Sequence, residues 1–113
     1  EDLPVIQLPL IPSVARYRIS TALDDVQYLI DVRWNGREGV WHFDLLTEDA
    51  ATILSGISIV LGVVSLGWRS VDARMPPGMF QVRDLSDNGV DAGFDDLGER
   101  VVVYYVPIDE LPA

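Results

Sequence analysis

The feature that most constrains the fold is a strict alternation of apolar and polar residues from Val26 to Trp34. Side chains of a β-strand point alternately to opposite faces, so a period of two places every large apolar or aromatic residue of this segment on one face. The pattern predicts a half-buried strand. Its buried face would carry Val26, Tyr28, Ile30, Val32 and Trp34.

Two similar alternations flank this strand. Residues 17–23 precede it with only two aspartates between, and residues 41–45 follow it after a turn, residues 35–39, that contains Asn and Gly. Short linkers of Gly, Asn or Asp join adjacent antiparallel strands. Residues 15–46 are therefore predicted to form a three-stranded antiparallel meander.

The remainder of the chain is also rich in strand-forming residues. β-Branched residues over 56–66 predict a strand with a bulge or sharp bend at Gly62. Residues 47–52 could begin a helical turn, because Thr47 can cap one. Further predicted elements are short strands over residues 79–83 and 100–106, with a turn at 86–89.

The prolines of the N-terminal segment divide the chain into two parts. Pro4, Pro9 and Pro12 lack a backbone donor, so residues 1–14 are predicted to form an extended arm or an edge strand. Residues 15–113 are predicted to form a single β domain. About six to seven short strands must bury their apolar faces against one another. This predicts an all-β, mainly antiparallel fold, either a small β-sandwich or a barrel.

The charge of the chain argues against two classes of partner. Eighteen acidic residues face eight basic ones, all arginines scattered along the sequence, and the net charge is -10. Such a surface repels phosphate backbones and anionic headgroups, so we expect no sequence-specific nucleic-acid binding and no membrane docking. The longest apolar stretch, residues 53–66, is too short to span a bilayer.

The sequence offers no catalytic constellation. There is no cysteine, and the only histidine, His42, lies two residues from Asp44 on the same face of its strand. That face lies opposite Trp41 and Phe43 and would normally meet solvent, and no nucleophile elbow of the Gly-x-Ser-x-Gly type occurs. We therefore predict that the protein is not an enzyme and needs no cofactor.

An acidic segment near the C-terminus has the spacing of a calcium loop. Oxygen ligands would come from Asp84, Ser86, Asn88 and Asp95, with Gly89 at the sixth position. Strand-like and Gly-rich flanks replace the two helices of a calcium-binding hand, which favours a solvated acidic turn with no metal. Calcium binding stays as an alternative.

The three tryptophans suggest a second ligand. Trp34, Trp41 and Trp68 could stack on sugar rings, although the first two lie on the apolar faces of their strands and are expected in the core. The alternative function is therefore a β-sandwich module that binds carbohydrate or calcium.

Three segments, in order, carry a pattern found in a known family. The first is a hairpin turn followed by an aromatic and acidic strand, the second a glycine-bounded strand, and the third a Leu-Gly entry to the closing strand. Their order and spacing resemble the plug-domain family of cyanophage baseplates. The motif residues are Trp34, Asn35, Gly39, Trp41, Asp44, Gly56, Gly62, Leu97 and Gly98.

The resemblance implies a structural component of a contractile phage tail baseplate, close to the tail axis. It implies packing with hub, spike or tube proteins, as a homo-oligomer or within threefold or sixfold surroundings. It also implies a place in the virion tail baseplate, with the host cytoplasm as the site of assembly. The family offers no catalytic residues to carry over.

Overall fold

The protein is built from β-strands arranged in two antiparallel sheets. The computed structural model describes residues 6–23, 25–64 and 79–107, and these contain no helix. The prediction of an all-β, mainly antiparallel fold is confirmed, and the sheets stay open with no closure into a barrel. The strands are β1 (Ile6–Gln7), β2 (Arg16–Leu23), β3 (Val26–Asn35), β4 (Val40–Thr47), β5 (Thr52–Ile59), β6 (Gly62–Val64), β7 (Met79–Asp84) and β8 (Val101–Val106).

The first sheet has the strand order β2-β3-β4-β5, so each strand pairs with the next one along the chain. Leu23 and Val26 are the last partners in the ladder between β2 and β3. The turn after β3 occupies residues 36–39 and joins Asn35 to Val40. The predicted three-stranded meander is therefore present, and β5 extends it by one strand.

The helical turn predicted over residues 47–52 is wrong. The chain reverses here between β4 and β5: the Thr47 N–H donates to the Ala51 carbonyl and the Ala50 N–H donates to the Thr47 carbonyl, both at 2.8 Å. Ala50 has a φ of 69°, in the left-handed region that a right-handed helix excludes. Pairing of Leu46 with Thr52 overrides the local preference for a helical cap.

The single strand predicted over residues 56–66 is in fact parts of two strands. β5 belongs to the first sheet, and β6 begins at Gly62 in the second sheet. Gly62 has a φ of 109°, so the bend expected there lies where the chain passes between the sheets. The end of the predicted strand, Ser65 and Leu66, lies outside the described residues.

The second sheet has the order β1-β8-β7-β6 and collects segments from the whole chain. β1 pairs with β8 through Ile6 and Tyr105, and β7 pairs with β8 through Phe80 and Tyr105. The predicted strands over 79–83 and 100–106 correspond to β7 and β8. The Leu8 N–H continues the β1 edge by donating to the Val103 carbonyl at 2.9 Å.

The hydrophobic core lies between the two sheets. Phe43 of the first sheet meets Phe80 of the second edge to face, with ring centroids 5.5 Å apart, and Phe80 meets Tyr105 in the same way at 5.3 Å. The largest fully buried side chains are Trp41, Tyr105, Phe80, Leu23, Ile30, Leu45, Leu97, Val32, Val101 and Val102. Burial of each such aliphatic or aromatic side chain stabilises the fold by about 1.5–3 kcal/mol.

The division into an arm and one domain stays a prediction. Residues 6–14 of the predicted arm include β1, and Leu8 in this segment is buried in the common core. Among the described residues no helix is long and apolar enough to cross a bilayer.

Candidate functional site

The two motif tryptophans form an aromatic cluster with Phe94. The ring centroids of Trp34 and Trp41 are 5.3 Å apart, and the Phe94 ring stacks on Trp41 at 6.0 Å and meets the Trp34 edge at 5.8 Å. The Trp41 indole N–H donates to the Gly93 carbonyl at 2.9 Å, and the side chain is fully buried. The cluster thus joins the first sheet to the loop before β8. Trp68, the third tryptophan of the sugar hypothesis, lies outside the described residues.

Asn35 and Gly39 shape the turn between β3 and β4. The Asn35 side-chain carbonyl accepts hydrogen bonds from the N–H groups of Arg37 and Glu38 at 3.1 and 3.2 Å. The Gly39 N–H donates to the Asn35 backbone carbonyl at 2.8 Å, with Gly39 at a φ of 70°. Asn and Gly suit these positions because one mimics a backbone turn and the other adopts positive φ without strain.

Asp44 and Gly56 together form a β-bulge. The register shifts so that Asp44 of β4 faces two residues of β5, Ser55 and Gly56, and Gly56 has a φ of 73°. One Asp44 oxygen accepts from the Gly56 N–H at 2.8 Å and the Ser55 hydroxyl at 3.1 Å, and the other pairs with Arg33 at 2.6 Å. Partial burial raises the pKa of Asp44, but these hydrogen bonds outweigh it, so the pKa lies below its usual value.

Leu97 and Gly98 fix the N-terminal segment against the end of the sandwich. The Leu97 side chain is fully buried in the core. Gly98 has a φ of 93°, and a Cβ atom there would lie 2.7 Å from the Leu10 carbonyl oxygen. Only glycine satisfies both conditions, because any other side chain would have to displace the backbone of the N-terminal segment.

The acidic loop of residues 85–100 is organised by one guanidinium group. Arg100 pairs with Asp84 at 2.8 Å and with Asp96 at 3.1 Å, and it donates to the carbonyls of Val90 and Asp91 at 2.9 Å each. We call these five residues the Arg100 network. Arg100 therefore holds both ends and the middle of the loop.

The network stabilises the charged form of its two carboxylates. The Ser86 hydroxyl, 2.6 Å from Asp84, is the main cause that holds the pKa of Asp84 well below its usual value of 3.8, and the Arg100 charge adds to it. The hydrogen bond from Arg100 is likewise the main cause that lowers the pKa of Asp96, and the Gly93 N–H assists it.

The residues of the calcium hypothesis bond to different parts of the protein. Asp84 is engaged by Arg100 and Ser86, whereas Asp95 accepts a 2.6 Å hydrogen bond from the Ser13 hydroxyl in the N-terminal segment. Asn88 is exposed. Over residues 6–23, 25–64 and 79–107, no group of three or more histidine, aspartate or glutamate side chains is placed to hold a metal. Calcium binding stays a hypothesis from sequence alone.

His42 takes part in a polar chain on the outer face of the first sheet. Its Nε2 lies 3.3 Å from a Glu38 carboxylate oxygen and its Nδ1 lies 3.4 Å from the Ser58 hydroxyl. Both contacts are long for hydrogen bonds. The nearby Gly56 N–H, which could otherwise stabilise an oxyanion, already donates to Asp44. The sequence did not pair His42 with Ser58, because β5 brings that residue from a later hairpin.

Three arginines that are scattered in the sequence share the outer face of the first sheet. We call Arg16, Arg18 and Arg33 the arginine face; they line an open groove of about 390 Å³ together with Asp31 and Asp44. Arg18 donates two hydrogen bonds, of 2.6 and 2.9 Å, to the Asp31 carboxylate. Arg16 lies directly opposite Arg33 and makes no ion pair with any described residue. The sequence analysis did not identify this face, because Arg33 joins Arg16 and Arg18 only through the register between β2 and β3.

Comparison with known proteins identifies the family. The sequence matches the family described as cyanophage baseplate Pam3 plug gp18 over residues 5–109. Comparison with curated proteins gives no match. The matched range runs from before β1 to beyond β8 and includes all nine motif residues, so the chain belongs to the cyanophage baseplate Pam3 plug gp18 family.

Proposed function

We propose that this protein is a structural plug that packs near the tail axis of a contractile phage baseplate, against hub, spike or tube proteins. Membership of a baseplate plug family over residues 5–109 is the observation that carries the proposal. That membership supports a structural role in the virion tail baseplate. The axial position, the identity of the neighbours and assembly in the host cytoplasm are the parts that the proposal adds.

The contacts of the motif residues support a structural role. Each described motif side chain or glycine shapes the fold: Trp41 fills the core, Asp44 holds a bulge, and Gly98 admits the N-terminal segment. A family pattern made of such positions preserves a shape. A protein whose motif positions preserve a shape is suited to packing among other subunits.

The surroundings would impose symmetry on the plug. Closed point-group symmetry is the norm for protein assemblies, so a plug near the axis would occur as a homo-oligomer or contact threefold or sixfold partners. The net charge of -10 disfavours adhesion to DNA.

The test is quantitative mass spectrometry of purified, DNA-free tails. The expected result is this chain at three or six copies per tail, with a tube protein of the same particles as the copy-number standard. Tails from a phage in which the gene is deleted, if they form, are the matched control. Intact tails that lack the chain altogether would refute the structural role.

A further inference from the structure

The β2 edge of the first sheet is unpaired within the described part of the chain. Among the residues that the structure describes, β2 pairs with β3 alone. The backbone N–H of Trp34 donates to the Ala15 carbonyl at 2.8 Å. In an antiparallel ladder, hydrogen-bonded and non-hydrogen-bonded residue pairs alternate, so the odd-numbered residues of β2 are the ones that bond to β3. The even-numbered residues therefore turn their N–H and C=O groups away from β3. These residues are Arg16, Arg18, Ser20 and Ala22.

The open edge is also positively charged. Arg16 and Arg18 are exposed on the outer face, and Arg16 faces Arg33 across the ladder, an arrangement of like charges that is unfavourable in the isolated sheet. Asp31 neutralises Arg18 and Asp44 neutralises Arg33, whereas Arg16 has no acidic partner among the described residues. Although the chain has a net charge of -10, the arginine at this edge has no carboxylate beside it among the described residues.

We propose that the open edge of β2 binds an extended segment of another baseplate protein that carries Asp or Glu at alternate positions. The segment would add a fifth strand to the first sheet. Its main chain would pair with the outward N–H and C=O groups, and its carboxylates would lie cross-strand from Arg16 and Arg18. Alternate residues of a strand are about 7 Å apart, which sets the spacing of the two acids. This inference rests on the proposed baseplate role.

Two features favour a protein strand over other occupants. A nucleic-acid phosphate backbone could accept hydrogen bonds from the arginines and the N–H groups, but it has no donor for the outward C=O groups, and the net charge of -10 repels it. The same charge disfavours a second copy of this chain, because two such copies repel each other. An acidic strand from a different protein satisfies both the backbone edge and the unpaired Arg16.

Ser20→Pro is the direct test, with Ser20→Ala as its matched control. Both changes lose the 2.6 Å hydrogen bond from the Gln27 amide to the Ser20 hydroxyl. Only proline also removes the outward N–H of residue 20, and it leaves the β2–β3 ladder intact. We expect Ser20→Ala to be incorporated into tails like the wild type. The incorporation of Ser20→Pro should fall at least tenfold, which corresponds to the loss of about one backbone hydrogen bond at the edge. Melting of the isolated variants checks that both are folded.

The charge is tested separately with Arg16→Glu. Arg37→Glu is its control, because Arg37 is exposed in the turn between β3 and β4 and the change in net charge is the same. We expect Arg16→Glu to lower incorporation into tails and Arg37→Glu to leave it unchanged. Equal incorporation of the two variants would overturn the role of the acidic positions.

Hydrogen exchange of the isolated protein tests whether the edge is open. We expect the amides of Arg18, Ser20 and Ala22 to exchange quickly and those of Ile19 and Thr21 to be protected. Protection of all five would show that the chain itself covers the edge and would overturn the inference. A dimer of the isolated chain that Ser20→Pro abolishes, or DNA binding that Arg16→Glu abolishes, would overturn the acidic-strand partner.

The tail experiment separates this inference from the proposed function. Wild-type protein missing from tails would refute the proposed function, and the inference would fall with it. Wild-type protein present in tails together with undiminished Ser20→Pro would refute this inference alone.

Discussion

The two sheets of this protein are assembled by different routes. The first sheet joins β2, β3, β4 and β5 in chain order, each through a short turn, so every pairing is local. The second sheet pairs Ile6 near the start of the chain with Tyr105 near its end. Closing a long loop costs entropy before the contacts form, so distant pairings depend more on what fixes the intervening loops.

The fixing contacts of the second sheet are concentrated in the 85–100 loop. The Arg100 network holds the loop from within, Gly98 lets the N-terminal segment lie against it, and Trp41 bonds it to the first sheet. The comparison indicates that hairpin turns suffice for the local sheet. The second sheet, whose strands are distant in sequence, also depends on hydrogen bonds from side chains to the backbone of the 85–100 loop.

Trp41→Ala should cause the largest loss of stability. It empties a fully buried site and removes the hydrogen bond to Gly93, so we expect the free energy of unfolding to fall by about 3–5 kcal/mol, measured in urea. Trp41→Phe keeps a ring and loses the bond, and a loss of about 1–2 kcal/mol is expected. Equal losses for the two variants would show that the link to the loop, and not the buried ring, dominates.

Gly98→Ala should come next. The positive φ at Gly98 and the clash with the Leu10 carbonyl predict a loss of about 1–3 kcal/mol. Gly89→Ala is the matched control, because Gly89 has a φ of 68° but open space around the added Cβ. It should lose only about 1 kcal/mol from backbone strain. If the two variants melt together, the contact between Gly98 and the N-terminal segment contributes nothing.

Acid should weaken the 85–100 loop, because the Arg100 network depends on two ionised carboxylates. The pKa values of Asp84 and Asp96 are lower in the folded protein than the usual 3.8, so the unfolded chain binds more protons as pH falls. The stability they contribute is complete above about pH 5 and declines below about pH 4. Amide exchange of the loop, followed by NMR between pH 6 and 3, should show this.

The acid prediction has a control in the same loop. Asp84→Asn should make the loop open already at neutral pH, because it removes the charge that faces Arg100. Asp87→Asn changes an exposed aspartate with a φ of 62°, a conformation that asparagine tolerates, and should leave the acid response as in the wild type. Amide protection in the loop that does not decline at all between pH 5 and pH 3 would contradict the role of the Arg100 network.

Arg16→Gln should have the smallest effect. Arg16 is exposed, has no acidic partner among the described residues and faces Arg33, so its removal should change the free energy of unfolding by less than about 0.5 kcal/mol. Urea unfolding of the isolated variant measures this. A loss above about 1 kcal/mol would mean that Arg16 serves the fold of the first sheet and not a partner.

The sequence predicted the local sheet well and the distant one in pieces. Alternation from Val26 to Trp34, with turns on either side, was enough for the meander, because both the pattern and its partners lie within one stretch of chain. The strands at 79–83 and 100–106 were also expected. The pairing of these strands with β1 and β6 was not expected, because a period of two predicts which residues share a face of the sheet and does not predict which strand lies beside it.

Errors arose where pairing overrode local preference. Thr47 has the chemistry of a helix cap, but the pairing of Leu46 with Thr52 forces a tight reversal with Ala50 in the left-handed region. The run after Gly56 has the residues of one strand, yet it is divided between two sheets. Such choices depend on which backbone groups find partners across the molecule, and this is not encoded in a short window.

The sequence by itself determined the all-β class, the first hairpins, the acidic charge and, through a match over residues 5–109, the baseplate plug family. It could do so because alternation, turn residues and charge are properties of neighbouring residues. The tertiary structure alone decided the Arg100 network, the arginine face and the open edge of β2. These depend on residues brought together from distant strands, and their meeting follows from the pairing of whole strands.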